Sequence, residues 1–164
     1  MMGRKILIYG SIGSGKTTLS REIFNDFPLI ELDEINRNLI EPENSGYLEL
    51  KKTISTEYFE PNGQINKKKL KVDLFNNNKL REKIENILHP LIFDELNKFT
   101  KEKDSYVVIS PLVKTVLQKM KFDLKIKVVC NTNLQIKRVK LRDSLEENII
   151  NNIIAYQENN YELV

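Results

Sequence analysis

The sequence predicts an α/β domain, a parallel sheet flanked by helices, on three observations. Lys5 to Tyr9 (KILIY) is a short, nearly unbroken apolar run, the pattern of a strand buried on both faces. It runs into glycines at positions 10, 13 and 15, three of the six in the chain, and then into Thr17 to Phe27, where Leu19, Ile23, Phe24 and Phe27 recur at helical spacing. Similar apolar runs, each followed by helix-like sequence, return later, so strand and helix alternate.

The remaining elements follow in order. Pro28 to Leu32 (PLIEL) reads as a second strand ending at Asp33, and Ile35, Leu39 and Ile40 mark a helix that Pro42 stops. From Tyr47 to Phe99 the pattern is helical throughout, broken by a Pro61-Asn62-Gly63 turn. This is a helical insertion in the α/β alternation, and Pro90 within it is expected to kink or restart its helix. Tyr106 to Ile109 (YVVI) and Ile126 to Cys130 (IKVVC) are two further buried-strand candidates, each followed by a helix. The division expected is a single domain over 1–164, with a core at about 1–42 and 104–137, an insertion at about 43–103 and a lid at about 138–150.

Composition excludes several classes. The 164 residues suit one domain, and 40% apolar with 30% charged residues argues against disorder. The charge balance of 26 basic against 23 acidic residues, net +3, is too small to imply a nucleic-acid partner. Cys130 is the single cysteine and His89 the single histidine, so neither a disulfide framework nor a Cys/His zinc site is expected. The first apolar run is too short for a leader or a membrane span, and a cytoplasmic protein with no membrane partner is expected.

Gly10-Ser11-Ile12-Gly13-Ser14-Gly15-Lys16-Thr17 satisfies the phosphate-binding pattern G-x-x-x-x-G-K-[ST], with a strand before it and a helix after it. Glycines let the main chain curl so that N–H groups converge on phosphate oxygens, and the helix adds its positive end. Lys16 is a compact cation for the β- and γ-phosphates, and the Thr17 hydroxyl suits Mg²⁺.

Other residues admit two readings. In an open parallel sheet ligands bind beyond the carboxyl ends of the strands, which would bring Asp33 to the crevice of the loop as proton acceptor or Mg²⁺ partner. As the residue before Glu34-Ile35 it equally suits a helix N-cap. Arg138 and Arg142, four apart, share a helix face and fit a phosphate clamp on a lid, or a solvated face pairing with Asp143 or Glu146. His89, in an apolar helical stretch, reads as a structural contact with no acid–base role. The run Asn66 to Lys71 reads as a solvated basic face with one or two lysines open to a phosphate-bearing substrate.

These residues resemble the dephospho-CoA kinase family along nearly the whole chain. The similarity lies in GSIGSGKTT, LIELDEINRNLIEP, the Asn62-Gly63 turn with LKVDLF, ILHPLI, the Pro111-Leu112 pair, and IKRVKLRD with the later Gln157. The resemblance implies a P-loop kinase fold with a helical substrate-binding insertion and an Arg-bearing lid. It implies that ATP with Mg²⁺ sits on Gly10 to Thr18, and that dephospho-CoA is phosphorylated on its ribose 3′-hydroxyl. Asp33 corresponds to the second acid of the family's D-x-D, the general base, and Arg37 to the Arg of that segment. Arg142 corresponds to the γ-phosphate contact and Arg138 to a neighbour of the adenine, with Arg81, His89 and Pro90 as substrate-side candidates.

There are departures. Glu31 stands for the first Asp of D-x-D, Lys114 and Thr115 replace an acidic end, and Ile109-Ser110 offers no carboxylate beside Pro111. The family continues past Gln157 through an Ala-Asp segment, so part of the adenine pocket and one sheet edge are expected to be lacking. An uncovered edge is a liability that invites self-association or a short extra strand, and a monomer or a weak homo-oligomer is expected. A nucleotide- or CoA-binding homologue with reduced catalysis, and a P-loop kinase for another nucleoside or small alcohol, are the alternative functions.

Overall fold

The computed structural model describes residues 3–161. Met1, Met2 and residues 162–164, the ends on which the expectations of no leader and a shortened tail bear, lie outside the described residues. In chain order the elements are β1 (Lys5–Tyr9), α1 (Lys16–Ile23), β2 (Leu29–Glu31), α2 (Leu32–Leu39), α3 (Ser45–Thr53), a 3₁₀ turn (Thr56–Tyr58), α4 (Lys67–Asn76), α5 (Asn78–Thr100), β3 (Tyr106–Ser110), α6 (Val113–Lys119), β4 (Leu124–Lys127), α7 (Thr132–Asp143) and α8 (Glu147–Glu158). The chain forms two compact units, one of Met1–Leu32 with Phe99–Val164 and the other of Asp33–Lys98.

The first unit holds a parallel sheet in the order β2-β3-β1-β4, with Ile8 opposite Ile109 on one side and Ile126 on the other. The continuous apolar runs occupy the centre. Leu7, Ile8, Val107 and Val108 are fully buried, and Ile6, Ile8, Val107 and Ile109 pack with Phe24, Phe27 and Leu29. Burying such side chains stabilises by about 1.5–3 kcal/mol each, so β1 and β3 anchor whatever follows their carboxyl ends. Helix α8 is buried along Ile149, Ile150, Ile153 and Ile154, a helical stripe, and its end brings the Tyr161 ring edge-on to Tyr9 at 5.3 Å.

Four expectations change in detail. Helix α1 stops at Ile23, because Phe24 and Phe27 leave helical geometry to meet each other and the core. Strand β2 ends at Glu31 and helix begins at once with Leu32, so Asp33 lies in a helical turn instead of at a strand end. The fourth strand sits two residues earlier than its apolar run, and its burial is slight: Leu124 is 49% exposed and Val129, beyond the strand, 76%. As the edge of the sheet, it has β1 alone as its strand neighbour among the described residues. Pro90 neither stops nor restarts a helix, since α5 continues from residue 78 to 100. Pro90 and Asn86, whose carbonyl it leaves without an N–H partner, are both on the exposed side, where water substitutes.

The second unit is helical. Helix α5 buries Ile84, Leu88, Ile92 and Leu96, an i, i+4 ladder, along its length. Tyr47 donates to the Gly63 carbonyl at 2.7 Å and meets Phe59 edge-on, which ties the Pro61-Asn62-Gly63 turn to α3. Gly46 is required by close approach. A Cβ there would lie 2.7 Å from the Leu39 carbonyl oxygen and 3.0 Å from Leu88 Cδ2. Gly46→Ala is therefore expected to lower the urea unfolding free energy by about 1–3 kcal/mol.

His89 is half-buried on α5, and burial lowers its pKa below the ordinary 6.5, with Glu85 opposing the shift. The folded imidazole thus resists a proton that the unfolded chain accepts, so stability is full above pH 6.5 and falls as pH drops through that value. Urea midpoints measured at pH 7 and pH 5 are expected to differ less in His89→Gln than in the parent.

Candidate active site

The site begins where β1 ends. After Tyr9 the chain curls through Gly13 and Gly15, with φ of +75° and +98°, conformations that L side chains rarely adopt. Ser14 N donates to the Ser11 carbonyl at 3.2 Å, closing a turn. Gly15 is the N-cap of α1, and no side chain caps that helix, whose first turn carries no acidic residue. A helix end of this kind presents positive partial charge to an anion. Lys16 is only 8% exposed, and its Nζ donates to the Ser11 carbonyl at 3.2 Å, so the cation lies across the loop.

The carboxylate beside this loop is Glu31, the last residue of β2. Thr17 Oγ1 donates to Glu31 Oε2 at 2.9 Å, and Arg21 Nη2 meets Glu31 Oε1 at 3.1 Å. The Thr17 hydroxyl proton is thereby committed and its lone pairs are turned elsewhere. Asp33 lies two residues on, exposed, with Glu34 in the first turn of α2. Since α2 already begins at Leu32, Asp33 is not the residue that precedes the helix, and the N-cap reading fails; a carboxylate in a first turn favours the positive helix end instead.

Arg138 and Arg142 both project from α7, but they do different things. Arg138 Nη1 donates to the Gly13 carbonyl at 3.2 Å and lies 3.5 Å from Cys130 Sγ, so the arginine expected near the adenine stands on the phosphate loop. Arg142 makes a two-pronged contact with Asp143, at 2.7 and 3.0 Å. That pairing with Asp143 is the one the solvated-face alternative names.

Three further residues reach the loop. Gln135, 2% exposed, donates from Nε2 to Ser11 Oγ at 2.8 Å and to the Ile12 carbonyl at 2.9 Å. Gln157 Oε1 accepts from Ile12 N at 2.7 Å, and Ser11 Oγ donates to Glu158 Oε1 at 3.1 Å. Gln157 is marked in the sequence by family similarity alone, while Gln135 and Glu158 carry no motif. The available signal for Gln135 is its place as a polar residue beside Ile136 and Val139, the buried stripe of α7.

The substrate-side candidates belong to the second unit. Arg37 is exposed on α2, and Arg81 donates to Asn78 Oδ1 at 2.8 Å. His89 and Pro90 are adjacent on α5. In the basic run, Lys69 is held by Glu57 and Asp73, each at 3.2 Å, and Lys67 pairs with Glu41 at 2.5 Å. A cavity of about 360 Å³ is lined by residues including Glu41, Gln64, Lys67 and Lys68, and none of Arg37, Arg81, His89 or Pro90 lines it.

The family model described as Dephospho-CoA kinase matches residues 5–163. The chain belongs to the dephospho-CoA kinase family. The dephospho-CoA kinase of Prochlorococcus marinus subsp. pastoris is 32% identical over 170 residues, covering 95% of this chain and 80% of that protein. Among solved structures, one from Thermus thermophilus superposes with a TM-score of 0.74 at 19% identity over 99% of this chain and 85% of its own. The dephospho-CoA kinase from Campylobacter jejuni gives 0.56 at 24% identity over 99% of this chain and 84% of its own. Both share the P-loop kinase fold of this α/β unit. No helix among the described residues is long and apolar enough to cross a membrane.

Lys16→Ala removes the buried cation of the loop in this dephospho-CoA kinase family member. Phosphoryl transfer is expected to fall by roughly 10²–10³-fold or more, with weaker ATP binding by calorimetry. Unchanged rate and affinity would remove the loop from the active site.

Proposed function

We propose that this chain transfers the γ-phosphoryl group of ATP to the ribose 3′-hydroxyl of dephospho-CoA, yielding CoA and releasing ADP. The observation that carries the reading is the phosphate loop with Lys16 held across it and Thr17 fixed on Glu31, in a chain matched by the family model over residues 5–163. Gly10 to Thr18 would receive the triphosphate, with main-chain N–H groups and the α1 N-terminus meeting its charge. Lys16 and Arg138 add positive charge where negative charge spreads over the transferred group.

The donor set fits Mg²⁺: a hydroxyl and a carboxylate oxygen 2.9 Å apart are hard ligands, and a cation that keeps waters and phosphate oxygens needs few protein groups. Thr17 and Glu31 would hold it, and when bound it neutralises charge on the β- and γ-phosphates. Arg21, on the other oxygen of Glu31, holds that carboxylate in its orientation.

Asp33 accepts the hydroxyl proton as the ribose oxygen attacks phosphorus. Arg142 exchanges Asp143 for the γ-phosphate, a small loss because an exposed ion pair is worth about 0–1 kcal/mol. Residues 33–98, with Arg37, Arg81, His89 and Pro90, supply the substrate side, and the reaction belongs to the cytoplasm.

The test is ATP-dependent conversion of dephospho-CoA by the purified chain, with the product identified by mass and adenosine and AMP as competing acceptors. CoA as product supports the reading. Tight ATP binding without product from any acceptor shows a nucleotide-binding homologue, and a phosphorylated nucleoside without CoA shows a different kinase. Asp33→Asn is expected to cut kcat by roughly 10²–10⁴-fold with ATP affinity little changed. Retained turnover reduces Asp33 to a charge at a helix end.

A further inference from the structure

We infer that Gln135 is a positioning residue for ATP binding: from the buried face of α7 it clamps Ser11 and Ile12, together with Gln157 from α8, and so holds the phosphate loop in its binding shape. The inference rests on the assignment of the loop to ATP.

The geometry is specific to one short stretch. Gln135 Nε2 has two protons, and both are used, one on Ser11 Oγ and one on the Ile12 carbonyl. Gln157 Oε1 takes the remaining main-chain group of Ile12, its N–H. Both polar groups of the Ile12 main chain are therefore bound by side-chain amides from two helices more than 120 residues away in sequence. The next carbonyl, that of Gly13, is taken by Arg138, and the Ser11 hydroxyl passes its own proton to Glu158. The same helix also closes on the loop sterically, since a Cβ at Gly13 would stand 2.9 Å from Val139 Cγ2 and 3.0 Å from the Gln135 carbonyl oxygen.

Such a clamp matters because the loop is rich in glycine. Fixing the main chain of one residue costs about 1–2 kcal/mol in entropy, and a loop that is not held beforehand meets that cost when the nucleotide arrives. An apparent affinity falls in proportion to the fraction of molecules in the competent shape. Amide side chains are suited to holding it, because they bond both donor and acceptor of a peptide group while adding no charge beside the triphosphate. Gln135 is buried, so removing its amide also leaves Ser11 Oγ and the Ile12 carbonyl short of a partner, which disfavours the native loop shape.

Gln135→Met keeps the side-chain length and removes both donors. Its ATP affinity, measured by calorimetry on the full chain, is expected to fall by roughly tenfold or more. The KM for dephospho-CoA and kcat at saturating ATP should stay within about threefold, the split expected when only pre-organisation is lost. ATP affinity within twofold of the parent overturns the inference. So does an equal loss at both substrates with a lowered urea midpoint, which would mark Gln135 as a core contact only. Gln157→Met, at the half-buried end of α8, gives the same ATP-side loss and decides the question if Gln135→Met does not fold. A parent chain that binds ATP but forms no CoA ends the kinase assignment, and the affinity ratio still judges the clamp.

Discussion

A loop that surrounds phosphate with main-chain N–H groups has few side chains of its own with which to fix itself, Lys16 across the curl and the Ser11 hydroxyl among them. Its inner surface must be bare peptide, which is why glycine supplies the left-handed conformations at 13 and 15. Much of what holds the loop therefore comes from outside it, and several features of the first unit serve that need. Strands β1 and β3 anchor its start through fully buried Val, Leu and Ile side chains. Helix α1 carries its end, and helices α7 and α8 reach its middle through Gln135, Arg138, Gln157 and Glu158.

The charges around the loop divide along the same line. Lys16 is buried and lies across the curl, where low local dielectric strengthens its attraction for an anion. Glu31 is kept beside it by a hydroxyl on one oxygen and a guanidinium on the other. Arg142, by contrast, is 61% exposed and paired with its sequence neighbour, so its charge is screened by solvent and salt.

The strands, the loop and most of the helical pattern from Tyr47 to Phe99 were legible in the sequence because each rests on local pattern, whereas Ile54 and Phe59, read as helical, lie between α3 and α4, where a 3₁₀ turn and the Phe59–Ile65 bridge replace α-helix. What was not legible depends on distant contacts or on the side of an element that faces water. Asp33 and Glu31 differ by two residues, and only the abrupt start of α2 at Leu32 shows that Glu31 closes the strand. Pro90 is tolerated because that side of α5 is solvated. The weak burial of β4 follows from its place at the sheet edge, which apolar content alone does not give. Gln135 looks like any polar residue of a helix until the fold brings the loop against it.

Strand β4 also bears on how the protein behaves in concentrated solution. Among the described residues β4 pairs on one side only; an edge of this kind with Leu124 and Ile126 is a template for another strand, and the lysines at 125 and 127 discourage such pairing. Lys127 is itself steadied, its ammonium 5.4 Å from the centre of the Tyr161 ring. Acetylation of these two exposed lysines would leave the core of the sheet untouched while stripping its edge of protection, and fibrous or amorphous self-association would be the outcome to watch for during purification.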